Sequence, residues 1–470
     1  MKKKIIAISA LLIIIIGSVS PAFAAPTNIE LGVEVTAEAA YVVNEDTGRV
    51  VYQKNADKKM YPASTTKIMS AALAMSMCDD LEGTMVTVPY DIWVEFEGID
   101  ISNAGIHGGE IMSLGDLVHC MLIQSANEAA SAVASYFGRD EFIEAMNRKA
   151  RELGCTGTHF VNPHGLYDDD HYTTARDLYL ITEWALSVPG FREITSMYSY
   201  TLHETNVHKE RDVYSTIGMQ NSYSGYYTRY IRGIKTGTLD ESGRCFVTSA
   251  ESGGMAFIGV FLGSPLEADP RIWDQGNSVF TNARLVFDWC FDNTEVTEVV
   301  RRGTPVSEIT LKYASEKDYL MLYSAEAVPT IIQTGTGESP VITYETEIPE
   351  IVEAPVKSGQ TVGTARVFSD SIYIGDVELI VMEDIDRSLF IYVMDKINNI
   401  LTSTPAIICY ALLLVMAAIY CYYMLVVVKR AENERKQREA MEEEERRIAK
   451  ETIHLRGGKE HRKRRNENDQ

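Results

Sequence analysis

Tyr61-Pro62-Ala63-Ser64-Thr65-Thr66-Lys67-Ile68-Met69 places a proline, a hydroxyl and a lysine at the head of a helical pattern. That pattern, Thr65 to Met77, is rich in Ala, Met and Leu. On a helix, residues three apart share a face, so the Lys67 amine can reach the Ser64 hydroxyl. A serine hydroxyl is a poor nucleophile until a base takes its proton. A lysine serves as that base when burial and nearby positive charge lower its pKa. The helix N-terminus also brings backbone N–H groups to Ser64, where an oxyanion would develop. Alone the pattern decides little. Average usage gives roughly one or two Ser-x-x-Lys matches in a chain of this length, and a plain helix start capped by Ser64 reads the same way.

Working outward, Ala40-Tyr41-Val42-Val43 and Arg49-Val50-Val51-Tyr52 flank the turn Asn44 to Gly48 and predict a hairpin. Helical periodicity predicts helices over Leu114 to Leu122, Glu128 to Phe137, Asp140 to Leu153, Ala175 to Leu186 and Phe280 to Phe291. Strand patterns occupy Tyr230 to Lys235, Arg244 to Ala250 and Met255 to Phe261. Strands at both ends with helices between them point to an α/β or α+β unit.

Two further motifs share the region. Ser125-Ala126-Asn127 lies between two helical patterns. Ser125 could relay a proton and Asn127 could hold a substrate amide, or the triplet is a capped turn. Lys235-Thr236-Gly237 ends a strand. There a cation and a hydroxyl would meet a substrate carboxylate, and Gly237 would let substrate backbone approach the strand edge. The alternative is a strand end with an exposed lysine. The three motifs in this order form the signature of the penicillin-binding proteins and class A β-lactamases. The layout resembles the low-molecular-mass D-alanyl-D-alanine carboxypeptidases of the serine type (peptidase S11). Further stretches are similar to that family: Phe160-Val161-Asn162-Pro163-His164-Gly165-Leu166, Thr173-Thr174-Ala175-Arg176-Asp177-Leu178, and Gly233 to Thr238 followed by Gly243-Arg244-Cys245-Phe246. The likeness runs from about Glu34 to Met382.

The resemblance implies a β-lactamase/DD-peptidase-like domain with a central antiparallel sheet flanked by helices. It implies that Ser64 forms an acyl-enzyme, Lys67 deprotonates it, and Ser125 passes a proton to the leaving amine. Asn127 would position substrate. Lys235 would supply positive charge and keep Lys67 neutral, and Thr236 would contact the terminal carboxylate. The N–H groups of Ser64 and Thr238 would form the oxyanion hole, with Gly237 and Thr238 pairing to substrate as an added strand. No cofactor or metal is implied. The partners would be peptidoglycan stem peptides, with β-lactams as covalent inhibitors. One departure concerns a basic residue that relatives place about ten positions before an aromatic near the closing helix. With Trp289 as the aromatic, that position is Val279, and Arg271, Arg284 or Thr236 alone would have to serve.

The ends of the chain bear on location. Lys2 to Lys4, the apolar Ile5 to Ile16 and Ala22-Phe23-Ala24 read as a secretory signal over 1–24. The peptidase-like domain is expected over 27–293 and a small all-β domain over 295–383, where short strands alternate with turns. Residues 405–428 form an uncharged apolar run followed by Lys429-Arg430. Its length fits one transmembrane helix, and the basic flank places the domains outside and the C-terminus inside. The tail 429–470 mixes both charges and reads as a solvated helix followed by disorder. Lys463, Arg464 and Arg465 could meet anionic lipid or an intracellular partner of unknown identity. Relatives commonly end instead in an amphipathic helix lying on the membrane.

The chain of 470 residues carries a formal net charge of -22, which argues against nucleic-acid binding. Its seven cysteines show no metal or redox spacing and read as isolated thiols, with a disulfide left open. His107, His119 and His164 read as structural, and Asp168-Asp169-Asp170 as a solvated loop. Asp177 reads either as a helix-opening acid or as a residue orienting the site. Alternative functions are a class A β-lactamase, a DD-endopeptidase, or a membrane scaffold sensing wall peptides or β-lactams. The Asn162 to Leu166 stretch holds no Glu to activate a deacylating water, which disfavours the β-lactamase.

Overall fold

The computed structural model describes residues 35–267, 277–335 and 340–465. The signal over 1–24, Arg271 and Thr336-Gly337 lie outside the described residues, as do the side chains of Lys463, Arg464 and Arg465. The chain divides into two compact units. One takes in Met1–Glu308, Met321–Pro349 and Ser358–Met382, the other Ile309–Leu320, Glu350–Lys357 and Glu383–Gln470.

In the first unit the predicted hairpin is β1 (Ala39–Asn44) and β2 (Val50–Lys54). Helix α1 (Lys67–Ser76) follows. The short strands β3 (Met85–Thr87) and β4 (Ile111–Ser113) pair with each other. Helices α2 (Leu114–Leu122), α3 (Asn127–Tyr136), α4 (Arg139–Glu152), α5 (Ala175–Ser187) and α6 (Phe191–Ser196) come next. A second hairpin, β5 (Ser199–Leu202) and β6 (Arg211–Tyr214), leads to β7 (Lys235–Leu239), β8 (Gly243–Ser252), β9 (Met255–Ser264) and α7 (Ser278–Asn293). The main sheet runs β2-β1-β9-β8-β7, antiparallel throughout.

Alternation along each strand explains how this sheet is covered. Ala39, Tyr41 and Val43 point into one core, shared with Val260 and α1 to α5. Ala40 and Val42 point into a second core, shared with Phe246, Phe257, Phe261 and the α7 residues Val286 and Phe287. A period of two thus sends successive side chains into two dry layers. That is why these strands read as nearly continuous apolar runs. The helices the sequence predicts are present within a few residues of their expected ends.

One expected strand is corrected. Tyr230 to Lys235 is not a continuous strand, because β7 starts at Lys235. Gly233 has a φ of 98°, and a Cβ there would come within 2.4 Å of the Thr195 carbonyl oxygen. This left-handed bend, pressed against α6, keeps Ile231 to an isolated bridge with Ala250.

Beyond α7 lie β10 (Thr294–Val300), β11 (Pro305–Lys312), β12 (Tyr319–Ser324), β13 (Val328–Gln333), β14 (Ile342–Glu347), β15 (Ile351–Glu353), β16 (Thr361–Ser369) and β17 (Ile372–Ile380). Within the first unit β10 pairs with β13, and β16 lies between β14 and β17, all antiparallel. Within the second unit Thr310 to Lys312 runs parallel to Ile351 to Glu353.

The second unit also holds two helices. α8 (Leu389–Leu401) is capped by the Ser388 hydroxyl and buries none of its residues. Leu389, Val393, Met394, Ile397, Ile400 and Leu401 recur at helical spacing on one exposed side. The chain therefore carries an amphipathic helix as well as an apolar run, where the sequence reading found only the run. α9 (Thr404–Arg465) is one continuous helix through both the apolar segment and the charged tail. Its segment Thr404–Thr452 is long and apolar enough to cross a membrane.

Candidate active site

Ser64 sits in a single tight turn, Ala63–Thr66, immediately before α1. The turn is closed by the Thr65 hydroxyl, which donates to the Pro62 carbonyl at 2.6 Å. Ala63 adopts a φ of 49°, a left-handed value that costs a non-glycine residue of order 1–3 kcal/mol. Neighbours hold it there. Gly165, itself at φ 89°, lies so close that a Cβ would fall 1.9 Å from the Ala63 carbonyl oxygen. From the other side Gly237 of β7 would place a Cβ 2.9 Å from both the Ser64 nitrogen and the Ala63 Cβ. The Ser64 N–H is thus flanked by a strand that only glycine lets approach.

Lys67 opens α1 and is fully buried. Its Nζ lies 3.0 Å from Ser64 Oγ, 2.7 Å from Asn127 Oδ1 and 2.8 Å from the His164 carbonyl oxygen. Burial, reinforced by the positive charge of Lys235, holds its pKa well below the ordinary lysine value. Glu128 opposes this, but burial pushes its own carboxyl pKa upward. Lys235, also fully buried, donates to the Thr236 carbonyl at 3.0 Å, and burial lowers its pKa to about 7.

A cavity of about 220 Å³ opens on this group, lined among others by Ser64, Ser125, Thr236, Gly237, Thr238 and Arg244. Lys67, Asn127 and Lys235 lie buried behind that lining. Ser125 reaches it from the α2–α3 connection with a φ of 64°. Asn127 is locked in orientation, because its amide nitrogen donates to the Ser102 carbonyl at 3.2 Å while its oxygen accepts from Lys67. Thr236 shares a 2.6 Å hydroxyl contact with Thr216.

Two family models match the chain. Residues 24–265 match the D-alanyl-D-alanine carboxypeptidase family, and residues 295–387 match the penicillin-binding protein 5 C-terminal domain. The chain belongs to the D-alanyl-D-alanine carboxypeptidase family. The D-alanyl-D-alanine carboxypeptidase DacC of Escherichia coli is 30% identical over 386 residues, covering 78% of this chain and 89% of that protein. DacF of Bacillus subtilis is 27% identical over 359 residues, covering 76% and 87%. The crystal structure of penicillin-binding protein 5 from Haemophilus influenzae superposes with a TM-score of 0.58 at 24% identity, covering 76% of this chain and 99% of that one. The fold is therefore that of the penicillin-binding DD-peptidases, and the chain is a serine-type hydrolase of this carboxypeptidase family.

The fold brings together all eight residues singled out in the sequence, although they come from the turn before α1, α1 itself, the α2–α3 connection, α3 and β7. Arg244 is the residue that sequence reasoning missed. It stands directly across from Thr238 in the β7–β8 register and lines the cavity. Its Nε is buried and meets no acceptor among the described residues. The strand register of the motif could have revealed it. Val279 does line the cavity. Arg284 is not part of that lining and donates instead to the Tyr226 and Tyr227 carbonyls.

None of the three histidines set aside in the sequence is part of the cavity lining. His164 accepts the Leu166 N–H at Nδ1 and turns Nε2 towards Glu95, and burial lowers its pKa to about 4. His119 stacks on Tyr200 and His107 lies apart from the cavity lining. Asp177 ties Gly157 and Thr158 to the start of α5. Asp168, Asp169 and Asp170 are exposed. All seven cysteines are free thiols.

Gly165→Ala tests how the Ser64 turn is held. A left-handed backbone and a collision with the Ala63 carbonyl together cost roughly 2–5 kcal/mol. Urea unfolding should show that loss, and an unchanged midpoint would mean that the turn does not depend on this contact.

Proposed function

We propose that Ser64 is the nucleophile that removes the terminal D-alanine from peptidoglycan stem peptides. Ser64 Oγ attacks the carbonyl carbon of the penultimate D-alanine, and its proton passes to Lys67. A tetrahedral oxyanion forms, stabilised by the N–H groups of Ser64 and Thr238. The carbon–nitrogen bond then breaks. The leaving amine takes a proton from Lys67 through Ser125, and D-alanine departs. Water hydrolyses the ester and restores Ser64. A β-lactam would acylate Ser64 by the same attack, but its amine stays tethered after the ring opens.

The observation that carries this reading is the 3.0 Å contact between Ser64 Oγ and the fully buried Nζ of Lys67. A lysine is a base near neutral pH only if something removes the advantage of its charged form, and burial beside Lys235 does so. The oxyanion pair is supported by the close pass of β7 along Ser64. Thr236, Lys235 and Arg244 together supply the hydroxyl and positive charge that a terminal carboxylate needs. Asn127 keeps a positioning part, acting on Lys67 rather than from the cavity wall.

Among the described residues no carboxylate lines the cavity, which supports slow deacylation over the β-lactamase alternative. α9 would anchor the chain in the cell membrane. The basic Lys429 and Arg430 that follow the apolar run support an extracellular catalytic domain and a cytoplasmic tail.

Fluorescent penicillin should label the wild-type chain and leave Ser64→Ala unlabelled, with D-alanine release from a stem pentapeptide lost in parallel. Labelling that survives the substitution would falsify the assignment.

The pH profile follows from the two lysines. Lys67 must be neutral, so activity falls as pH drops through its lowered pKa. Lys235 must be charged, and that charge is lost as pH rises through about 7 in the free enzyme. The KM for a pentapeptide should therefore rise above pH ~7. A C-terminally amidated analogue, which has no carboxylate, should lack that limb. Equal limbs for both substrates would remove Lys235 from carboxylate binding.

Arg244→Ala should raise KM about 10-fold or more, the loss of one charge-assisted contact of roughly 1.5–3 kcal/mol, with smaller change in kcat. An unaltered KM would leave Thr236 and Lys235 to hold the carboxylate without it.

A further inference from the structure

Two histidines outside the catalytic cavity share a buried carboxylate. Glu110 is fully buried. Its Oε1 accepts from the Thr205 hydroxyl at 2.8 Å and faces His208 Nδ1 at 3.1 Å. Its Oε2 accepts the His107 backbone N–H at 2.9 Å. Arg211 stands 3.5 Å from Oε1. An ionised carboxylate can only accept, so His208 carries its proton on Nδ1 and its Nε2 lone pair is left free. His107 reaches the same tautomer by another route, with Nδ1 3.1 Å from the Gly105 carbonyl. The two rings lie 4.8 Å apart, and one ligand atom from each of His107, Glu110 and His208 lies within 4.8 Å of the others.

We propose that His107 and His208 bind one divalent transition-metal ion through their Nε2 atoms, with Glu110 holding His208 from behind. A carboxylate or carbonyl on the far nitrogen is the usual support of a metal-bound histidine, and here each ring has one. Two neutral imidazoles favour Zn²⁺, Cu²⁺ or Ni²⁺ over the oxygen-seeking Mg²⁺ and Ca²⁺. Arg211 offsets part of the Glu110 charge, which weakens the site further for a hard cation. His107 is exposed, so an ion can enter from solvent and keep water at its remaining positions.

The two ligands come from segments that both reach the catalytic cavity. His107 belongs to the β3–β4 connection, which also carries Ser102, the acceptor of the Asn127 backbone and side-chain N–H groups. His208 belongs to the β5–β6 turn, and the chain continues from β6 to Thr216, the partner of Thr236. Asn206 already joins the two segments, through Gly109 and Ile111. A bound ion would staple them more firmly and stiffen both walls of the cavity. Sequence could not suggest this site, because Glu110 and His208 are 98 residues apart.

The test uses the full chain in detergent, stripped with a chelator and titrated calorimetrically with Zn²⁺ alone, then with Mg²⁺ and Ca²⁺. One Zn²⁺ per chain should bind and raise the unfolding midpoint, while Mg²⁺ and Ca²⁺ give no comparable heat. His107→Ala and His208→Ala should each weaken Zn²⁺ binding by about 10- to 100-fold. Unfolding midpoints of the metal-free variants, matching the metal-free wild type, show that they remain folded. The proposal fails if the wild type binds no Zn²⁺, if Mg²⁺ binds equally well, or if folded variants of both histidines bind as tightly as the wild type. That last result would place any Zn²⁺ on other histidines, such as His454 and His461 of the tail.

Discussion

A lysine amine fully removed from solvent, 3.0 Å from a serine hydroxyl, is the constraint around which the catalytic unit is arranged. Burying an ammonium is costly unless its donors are satisfied, and burying it beside a second cation is worse. The Lys67 environment meets this in a way that suits both protonation states. A charged Nζ has three hydrogens, and three acceptors surround it: Ser64 Oγ, Asn127 Oδ1 and the His164 carbonyl. A neutral Nζ has two hydrogens and a lone pair. The Asn127 and His164 oxygens can keep those two, while the Ser64 contact reverses and the hydroxyl donates. One hydrogen bond changes direction and none is lost. The proton can move without leaving any buried polar atom unpaired.

Everything that fixes those three acceptors is therefore part of the site. Asn127 is oriented by Ser102, and the His164 carbonyl is placed by a tight turn in which Asn162 binds the Gly165 and Leu166 backbone. Ser70, one turn along α1, donates to the Pro163 carbonyl at 2.7 Å and pins that turn to the helix. Thr66 is held in turn by His171, whose Nδ1 accepts from Val161 and whose Nε2 therefore donates. The two-layered sheet gives this cluster a rigid floor. β7 lies at its edge, so one strand both backs Ser64 and keeps an open edge of the kind an extended peptide can pair with.

Local patterns made much of this legible. The i, i+3 relation of Ser64 and Lys67, the alternation in β1 and the 3.6 periodicity of α2 to α5 are each written within one short stretch of chain. They were read nearly to the correct ends. Three short motifs carry seven of the eight candidate residues, and Thr238 follows directly on the third. What escaped was set by pairing across distance. Arg244 enters the site through its register with Thr238, and Thr216 through a side-chain contact across 20 residues. The left-handed Ala63 and Ser125 are held by their surroundings against their own preference, so no propensity announces them. The bend at Gly233 belongs to the same class, since its cause is the Thr195 carbonyl. α8 is different. Its apolar spacing was readable, but the longer uncharged run after it dominates the hydropathy of that region.

The two buried lysines differ in what faces them, and this assigns their charges. Lys67 is enclosed by neutral acceptors that serve either state. Lys235 has the Thr236 carbonyl and lies behind the cavity where a substrate carboxylate would arrive. An arriving carboxylate stabilises the charged form of Lys235 and so raises its pKa. Lys67 is held neutral by its own burial first and by Lys235 second, so the two lysines can differ in charge within one buried cluster. A peptide lacking its terminal carboxylate would leave the buried Lys235 without a counter-charge and so would lose more than one hydrogen bond, because an unpaired buried charge is the costlier state.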